Sequence, residues 1–145
     1  MQYLSALAPL PEPLLHEVVR LSDLVFGPPV IDHRWRLGRM PEVSIFYVRN
    51  EGGLIAFKAG YAFAERKYYS WLGAVHPQYR QSGIASQLTK LQHSWLLENA
   101  YSVVETSSRA DNKVMAQVNL NNGFVIQGTK LDPHGLQVLW SKQLK

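Results

Sequence analysis

Residues 75–86, Val-His-Pro-Gln-Tyr-Arg-Gln-Ser-Gly-Ile-Ala-Ser, are the part of the sequence best suited to chemistry. They join an apolar, aromatic run to the most regular amphipathic segment, so the pattern predicts a strand, a tight turn and the start of a long helix. Such a turn lets successive backbone N–H groups converge on an anion, and the helix adds unpaired donors and its dipole. The segment therefore predicts a pyrophosphate site.

Four residues of this turn have types that suit an anion site. Gly83 would let the backbone approach the phosphates, and small Ala85 would keep the first helical turn close to them. Ser86 can add a hydroxyl donor, and Arg80 can add charge or shape the loop. Alternatively, Gly83 serves only the turn and Arg80 is a solvated side chain. The position between a predicted strand and the strongest predicted helix favours the anion site.

The elements that must position the turn follow from apolar periodicity and turn residues. The predicted strands are Met1–Leu7, Val43–Arg49, Leu54–Ala64, Tyr68–Val75, Tyr101–Ser107, Phe124–Lys130 and Leu136–Ser141. The predicted helices are one carrying Leu14, Val18, Leu21 and Val25, a second helix or ordered loop at Asp32–Leu37, one from about Gly83 to Ala100, and Asp111–Asn121. Gly27-Pro28-Pro29 should stop the first helix. This order predicts an α/β fold of the mixed α+β kind, with helices packed on a mixed sheet.

Length and composition favour a single folded domain over residues 1–145. The chain has 46% hydrophobic and 18% charged residues, which is ordinary for a globular protein. Its net charge of +4 favours anionic partners. It has no cysteine, which excludes disulfides and thiolate chemistry, and its amino terminus has neither an export signal nor a spanning helix. We expect a soluble, cytoplasmic protein without a membrane partner.

Several other chemistries find no support in the sequence. The five histidines, at positions 16, 33, 76, 93 and 134, show no metal-ligand spacing, so no metal site is expected. No Gly-x-Ser-x-Gly elbow occurs, which argues against a serine hydrolase. The basic residues are scattered, which argues against a dedicated nucleic-acid arm.

Two blocks of the sequence resemble a known family. Residues 80–85 are similar to the acetyl-CoA signature of the GCN5-related N-acetyltransferases, the GNAT superfamily, and residues 71–77 resemble that family's fourth strand. Residues 112–115, Asn-Lys-Val-Met, followed by 121–124, Asn-Asn-Gly-Phe, resemble the family's Asn-x-x-Ala/Met helix and Gly-Phe strand. The resemblance covers roughly residues 68–128.

The resemblance implies a fold and an activity. The fold would be a single GNAT-like domain whose mixed, mostly antiparallel sheet of six to seven strands splays between strands 4 and 5, flanked by about four helices. A bulge in strand 4 would help open this cleft for the pantetheine arm. The activity would be acetyl transfer from acetyl-CoA, as cosubstrate and without a metal, to a primary amine by direct attack in a ternary complex. The acceptor stays open, and so does a homodimer.

The resemblance also implies which residues bind the cosubstrate. They are Ala74, Val75 and His76 for pantetheine, Arg80, Gln81, Ser82, Gly83, Ile84, Ala85 and Ser86 for pyrophosphate, and Asn112 and Asn119 along the arm. Many family members have a tyrosine at the place of Asn119, positioned to protonate the departing thiolate. An amide is not an acid in the useful range, so this chain lacks the usual acid.

The catalytic base and the acceptor site have several candidates. Glu105 on the fifth strand and Glu65 at the end of the third could accept a proton directly or through water, although either could be a solvated edge residue. The family's acceptor site is usually lined between the first two helices, where His33, Arg34 and Trp35 lie. Arg34 or Arg36 could bind an acceptor carboxylate or phosphate, and Trp35 could equally belong to the core. Four aromatic residues could either face the cleft or belong to an ordinary core: Phe26, Phe46, Tyr61 and Phe63.

Two other functions remain open. The first is a CoA-binding domain that has lost catalysis, which Asn119 would allow. The second is a basic nucleic-acid-binding module, suggested by the pI near 9.4 and the aromatic run at residues 68–71. Half of those aromatic side chains should face inward, and they match no recognition motif, which disfavours the second function.

Overall fold

The computed structural model of the protein describes residues 1–27, 33–133 and 135–144. These residues form a seven-stranded sheet with helices on both faces. The strands are β1 (Gln2–Leu7), β2 (Ser44–Asn50), β3 (Gly53–Ala64), β4 (Lys67–Val75), β5 (Val103–Arg109), β6 (Val125–Asp132) and β7 (Gly135–Gln143). The α-helices are α1 (Glu12–Phe26), α2 (His33–Arg39), α3 (Ile84–Glu98) and α4 (Lys113–Asn121).

The predicted fold class and element order are confirmed, with bounds that shift by a residue or two. The segment proposed as a helix or loop is a helix, and it continues past Leu37 to Arg39. Gly27 ends α1, and its N–H donates to the carbonyl of Asp23 at 2.8 Å. The predicted stop at Pro28 and Pro29, and the predicted start at Asp32, lie outside the described residues.

The sheet is antiparallel except at its centre. Its strand order is β1-β2-β3-β4-β5-β7-β6, and β4 and β5 are the parallel neighbours. Their ladder begins at Lys67 opposite Val103 and ends at Tyr69 opposite Glu105, although both strands continue well beyond. The unpaired continuations of β4 and β5 enclose an opening that we call the gap. The predicted splay between strands 4 and 5 is therefore present.

A bulge in β4 accompanies the divergence of the two strands. Ser70 lies opposite Gly60 of β3 and Leu72 lies opposite Ala59, so Trp71 is an extra residue with no partner across the ladder. A bulge bends its strand and increases the local twist. Because it lies two residues past Tyr69, the last residue of β4 that pairs with β5, it turns the rest of that strand away from β5.

Two side-chain hydrogen bonds hold the root of the gap. The Thr106 hydroxyl donates to the carbonyl oxygen of Ser70 at 2.8 Å. The Tyr69 hydroxyl and the Ser107 Oγ lie 2.7 Å apart. These contacts join β4 and β5 just past the end of their ladder.

The helices cover the sheet as the apolar stripes predict. Leu14, Val18 and Leu21 of α1 are buried against one face together with α2. Ile84 and Leu88 of α3 are buried against the other face.

The aromatic run on β4 does not form an exposed platform. Tyr68 is completely buried, and its hydroxyl lies 2.6 Å from the Ser44 Oγ. Tyr69 and Trp71 pack against the opposite face, beneath α1 and α2. The side chains that suggested base stacking are therefore divided between two cores. Among the described residues, no helix is long and apolar enough to cross a membrane.

Candidate functional site

The turn between β4 and α3 has the geometry of an anion site. A single 3-10 turn at Pro77–Tyr79 follows the strand, and the next residues curl into the helix. Gln81 and Gly83 have φ of +62° and +82°, in the left-handed region, and Gly83 is the N-cap of α3. Residue 83 must be a glycine because of this backbone conformation. Space is not the reason, since a Cβ there would meet no atom within 4 Å.

The backbone donors of this turn are free. Among the described residues, no acceptor receives a hydrogen bond from the N–H groups of residues 81–86. The helical pattern begins one residue later, where the N–H of Gln87 donates to the carbonyl of Gly83 at 3.0 Å. The side chain of Ile84 is buried and anchors the turn, whereas Ala85 and Ser86 are exposed. Unpaired donors at a helix N-terminus fit a pyrophosphate.

Three side chains of the turn are used to shape it. Arg80 Nε donates to the carbonyl oxygen of Val75 at 3.2 Å, which folds the guanidinium back against the end of β4. The Ser82 hydroxyl donates to the carbonyl of Tyr79. His76 Nδ1 accepts from the N–H of Gln78 at 3.2 Å and caps the 3-10 turn. The backbone, with added charge from Arg80, is left to meet the anion.

The pairing of β4 with β3 decides which backbone groups face the gap. The N–H of His76 donates to the carbonyl of Ile55 at 2.8 Å, so this pair is hydrogen bonded across the ladder. Because hydrogen-bonded pairs alternate in an antiparallel ladder, Ala74 also points to β3, whereas Val75 and Gly73 point to the gap. Of the three residues predicted to pair with pantetheine, only Val75 has this orientation. Gly73 is a gap residue that the sequence did not indicate.

The two asparagines near α4 have different surroundings. Asn112 caps the helix, since its Oδ1 accepts from the N–H of Met115 at 3.1 Å, and its side chain is exposed. Asn119 is buried at 5% exposure, and its Nδ2 has no hydrogen-bond partner among the described residues. A buried donor without an acceptor costs free energy, which a ligand atom could recover. Their roles towards the cosubstrate stay predictions.

The opposite face of the gap carries an aromatic cluster beneath α2. The ring of Tyr61 lies 5.7 Å from Tyr69 and 6.1 Å from Trp71. The guanidinium of Arg36 lies 4.7 Å above the Trp71 ring. His33 meets the same ring edge-on at 5.4 Å. The cluster gives this side of the gap an apolar floor with a cation above it.

The other predicted acceptor-site residues lie elsewhere. Arg34 forms an ion pair with Glu12, and Trp35 is 55% exposed rather than part of the core, with Arg39 beside its ring. Among the aromatic candidates, Phe46 is buried beneath α3, and Phe26 and Phe63 are exposed. Tyr61 is therefore the only one of those four candidates, all of them described, in the aromatic cluster.

The structure separates the two candidate bases. Glu105 is half-buried at the last paired position, opposite Tyr69, and strand alternation places its side chain on the face of Ser107 and the aromatic cluster. Glu65 is exposed in the turn between β3 and β4, and Lys67, where β4 begins, is already about 13 Å along the strand from the bulge. Glu65 therefore does not reach the gap, which corrects its proposed place there. Glu105 lies at its root.

Two open surface cavities, of about 250 and 290 Å³, flank Trp95 between α3 and the β1–β2 edge, away from the gap. Neither is lined by the turn or by the unpaired part of β4. We assign the site from the free donors and the strand edge, because a long, narrow arm requires a groove with polar partners and not an enclosed cavity.

The chain's own residues fit acetyl-CoA as a cosubstrate. The turn offers unpaired amides to a pyrophosphate, the edge of β4 offers backbone groups of Gly73 and Val75 to an amide-bearing arm, and Asn119 offers a buried donor further along. The turn and the strand edge are contiguous along the chain, and Asn119 lies on α4. An anionic group attached to a long arm of amides would engage all of them.

Comparison with known proteins gives the class of the molecule. No protein-family model matches the sequence, and no curated protein matches it. The solved ribosomal-protein-S18-alanine N-acetyltransferase of Escherichia coli superimposes with a TM-score of 0.81 at 14% identity, over 98% of this chain and 95% of that chain. A component of the NatC complex bound to Gag peptide and CoA matches with a TM-score of 0.80 at 18% identity, over 100% of both chains.

A third solved structure carries the family's own name. It is a protein assigned to the GNAT acetyltransferases, from Desulfovibrio desulfuricans, with a TM-score of 0.78 at 13% identity, over 99% of this chain and 100% of that chain. These likenesses define a split, mixed sheet covered by helices. More particularly, the chain has the fold of the GNAT N-acetyltransferases. Identities this low show the fold, and the activity must be argued from the site.

Proposed function

We propose that the protein is an acetyl-CoA-dependent N-acetyltransferase that moves the acetyl group to a primary amine. The observation that carries this proposal is the anion turn, with its free amides at residues 81–86, directly beside the unpaired edge of β4. The likeness to acetyltransferase structures over nearly the whole chain supports it. The NatC structure, bound to both CoA and a Gag peptide, supports the use of this fold for two substrates at once.

The reaction requires a neutral amine, a polarised carbonyl and an outlet for protons. Acetyl-CoA supplies an activated acyl group. The backbone N–H of Gly73, which lies nearer the root of the gap than Val75, can stabilise negative charge on the carbonyl oxygen, while Val75 pairs with the arm. Glu105, at the root of the gap, accepts the proton of the attacking amine directly or through a water. Direct attack needs both substrates together, which the two open faces of the gap permit.

The acceptor side favours an amine that also carries an anionic group. Arg36 stacks on Trp71, and no carboxylate among the described residues forms an ion pair with it. A guanidinium above an aromatic floor binds carboxylates and phosphates well. Arg34 is already paired with Glu12, so Arg36 is the better candidate of the two. Free amino acids, peptides with a nearby carboxylate and amino sugar phosphates have the required chemistry.

An acetyl-CoA consumption assay across a panel of amines tests the function. The panel includes amino acids, short peptides, polyamines and aminoglycosides, and we expect turnover with at least one amine that carries an anionic group. Gly83→Glu should abolish that turnover. Failure of the wild-type protein to bind CoA at all would contradict the proposal. Tight CoA binding without turnover on any amine would favour the second candidate, a CoA-binding domain without catalysis, which the absence of a tyrosine at Asn119 supports.

A further inference from the structure

A group of five polar residues lies on the α3 side of the sheet, near the root of the gap, and three of them are deeply buried. Its members come from β3, β4, α3, α4 and β7, and we call it the donor pocket. They are Lys58, Ser70, His93, Asn119 and Lys142, and both lysines are half-buried. Lys142 contacts His93, and the charge of Lys58 acts on the same ring. The carbonyl of Asn119 accepts from the N–H of Phe124, whose ring lies 5.6 Å from His93, and strand alternation places Ser70 on the face of Tyr68, beneath α3. Ser70, His93 and Asn119 are 3%, 7% and 5% exposed. Polar side chains this deeply buried are normally satisfied by partners, so the hydrogen bonds of each one are informative.

The contact between Lys142 and His93 fixes the imidazole tautomer. Lys142 Nζ lies 3.1 Å from His93 Nδ1. An ammonium can only donate, so Nδ1 is the acceptor and the ring proton is on Nε2. Burial, with the nearby charges of Lys142 and Lys58, lowers the pKa of His93 to about 3 and keeps the ring neutral. Nε2 is buried without a partner among the described residues, so His93 presents an unused N–H.

The other members also present donors. Ser70 Oγ and Asn119 Nδ2 are buried without partners among the described residues. Lys58 lies directly opposite Gly73 of β4, and no described residue hydrogen bonds or ion pairs with its amine. Burial lowers the pKa of Lys58 to about 8, and no carboxylate of the described residues acts on it. The pocket therefore holds two lysines and several free donors without an opposing carboxylate.

Gly123 makes room for one of the two lysines. A Cβ on this residue would lie 3.3 Å from Lys142 Cε, and the glycine has a φ of +87°. The absence of a side chain at residue 123 therefore lets Lys142 lie inward, against His93. The arrangement is built into the backbone and not only into one flexible side chain.

A donor pocket of this kind is incomplete without a negatively charged acceptor. Buried donors and unpaired ammonium groups are costly, and an anion would satisfy them together. Ser70 lies five residues before Val75 on β4, so the pocket is about 16 Å from the anion turn, roughly the length of a pantetheine arm. On the basis of the proposed function, we propose that the donor pocket binds the sulfur of CoA in its thiolate form.

The pocket would then take the place of an acid in acetyl transfer. The amine nitrogen forms the new C–N bond, and the C–S bond breaks with its electron pair left on sulfur. The lysines and free donors hold that charge, so sulfur needs no proton at this step. The proton that leaves the amine goes to Glu105 and then to solvent. Thiols near cationic groups ionise well below their usual range, which is the effect the pocket exploits.

Proton release on CoA binding provides the test. A free thiol has a pKa of about 8.5, so CoA in solution at pH 7 is mainly the thiol. If the protein binds the thiolate, about one proton must therefore be released on binding. Calorimetry in two buffers of different ionisation enthalpy measures that release. Within the pocket, the pKa of His93 is about 3 and that of Lys58 is about 8, so at pH 7 the imidazole is neutral and the Lys58 amine is charged before CoA binds. Tyr68 and Tyr101, which pack with Trp95 of α3, have pKa values raised by burial and stay protonated. Desulfo-CoA, which lacks the sulfur, should release no such proton.

Variants separate the pocket from the rest of the site. We expect CoA to bind at least tenfold more tightly than desulfo-CoA to the wild-type protein, and about equally well to Lys142→Met and Lys58→Met. Lys90→Met, on the exposed face of α3, is the matched control and should keep both the preference and the proton release. Circular dichroism confirms folding. Equal binding of CoA and desulfo-CoA by the wild-type protein, without proton release, would overturn the pocket and leave the proposed function standing. Absence of binding by either ligand would instead remove the proposed function.

Discussion

Individual residues of the gap divide into those that bind through the backbone and those that act through side chains. Gly83 and Val75 belong to the first group, because their N–H groups and conformation matter more than their side chains. Glu105 and Arg36 belong to the second group and lie on the acceptor side of the sheet. The two groups should therefore respond differently to substitution.

Gly83→Glu should abolish measurable CoA binding. The new side chain brings negative charge to an anion site and must adopt a φ of +82°, which non-glycine residues rarely do. Arg80→Ala should cost only about 1–2 kcal/mol of binding free energy. The guanidinium is partly used to hold the carbonyl of Val75, so the backbone amides make most of the contact with the anion. Calorimetry measures both. Gly128→Glu, on β6 where a side chain meets nothing within 4 Å, is the matched control. Near-native CoA affinity in folded Gly83→Glu would place the cofactor site elsewhere.

Glu105→Gln should lower kcat/KM about a hundredfold at neutral pH while CoA binding stays unchanged. A general base contributes at least this factor, and an amide cannot accept the proton. Glu65→Gln is the control, because Glu65 is exposed at the far end of β4 and should have no effect. Steady-state kinetics with the best amine of the panel decide the matter. Equal kinetics for Glu105→Gln and the wild type would leave proton removal to water alone.

At the scale of elements, β4 and α3 were predictable and their side-chain environment was not. The strand, turn and helix are contiguous, so glycine and apolar spacing in one stretch of sequence sufficed to predict the anion turn. The bulge at Trp71 shifts which residues of β4 face the gap, and nothing in the local sequence reveals it. For the same reason, Gly73 was missed and the orientation of Ala74 and His76 was not foreseen. The position of Glu65, by contrast, follows from its place in a short hairpin turn.

The burial of His93 on the inner face of α3 should make the protein sensitive to mild acid. The folded pKa of His93 is about 3 and its unfolded value is about 6.5, so between these limits the unfolded chain binds the extra proton. The contribution of neutral His93 to the free energy of unfolding is fully present above about pH 6.5. It should fall by about 1.4 kcal/mol per pH unit as the pH drops towards 3. Urea unfolding of wild type and His93→Gln at pH 7 and pH 5 measures the difference.

Between pH 7 and pH 5, the free energy of unfolding of His93→Gln should fall by about 2 kcal/mol less than that of the wild type. His16→Gln, which replaces an exposed histidine of α1, should retain the wild-type dependence. Identical slopes for His93→Gln and the wild type would show that the imidazole can be protonated in place.

The whole molecule combines a conventional core with a region kept polar at a cost. The residues of the donor pocket come from five elements, so no sequence pattern could have assembled them, and only the fold brings Lys58, His93 and Lys142 together. The fold class itself was predictable because it depends on element order and on the motifs of residues 68–128. The two faces of the sheet, by contrast, differ in ways that depend on long-range packing.

Lys58→Met should stabilise the protein while it weakens CoA binding. Methionine has similar length and removes an ammonium that no described residue pairs with, so the free energy of unfolding should rise by about 1–3 kcal/mol at pH 7. The gain should persist below pH 8 and shrink as the pH rises towards the unfolded pKa of about 10.4, where both forms become neutral. Thermal unfolding measures it, with Lys90→Met as the neutral control. A destabilised Lys58→Met would mean that the amine supports the core.

The short ladder between β4 and β5 has a mechanical consequence. Strands β1–β4 form one antiparallel body and β5–β7 another, and the paired segment from Lys67 to Tyr69 is the seam between them. The two bodies can rotate relative to each other about this short paired segment, and the hydrogen bonds of Thr106 and Tyr69 limit that rotation. A molecule lying in the gap would then work as a strut, bracing the two bodies at a fixed angle and stiffening the sheet where its own hydrogen bonds end.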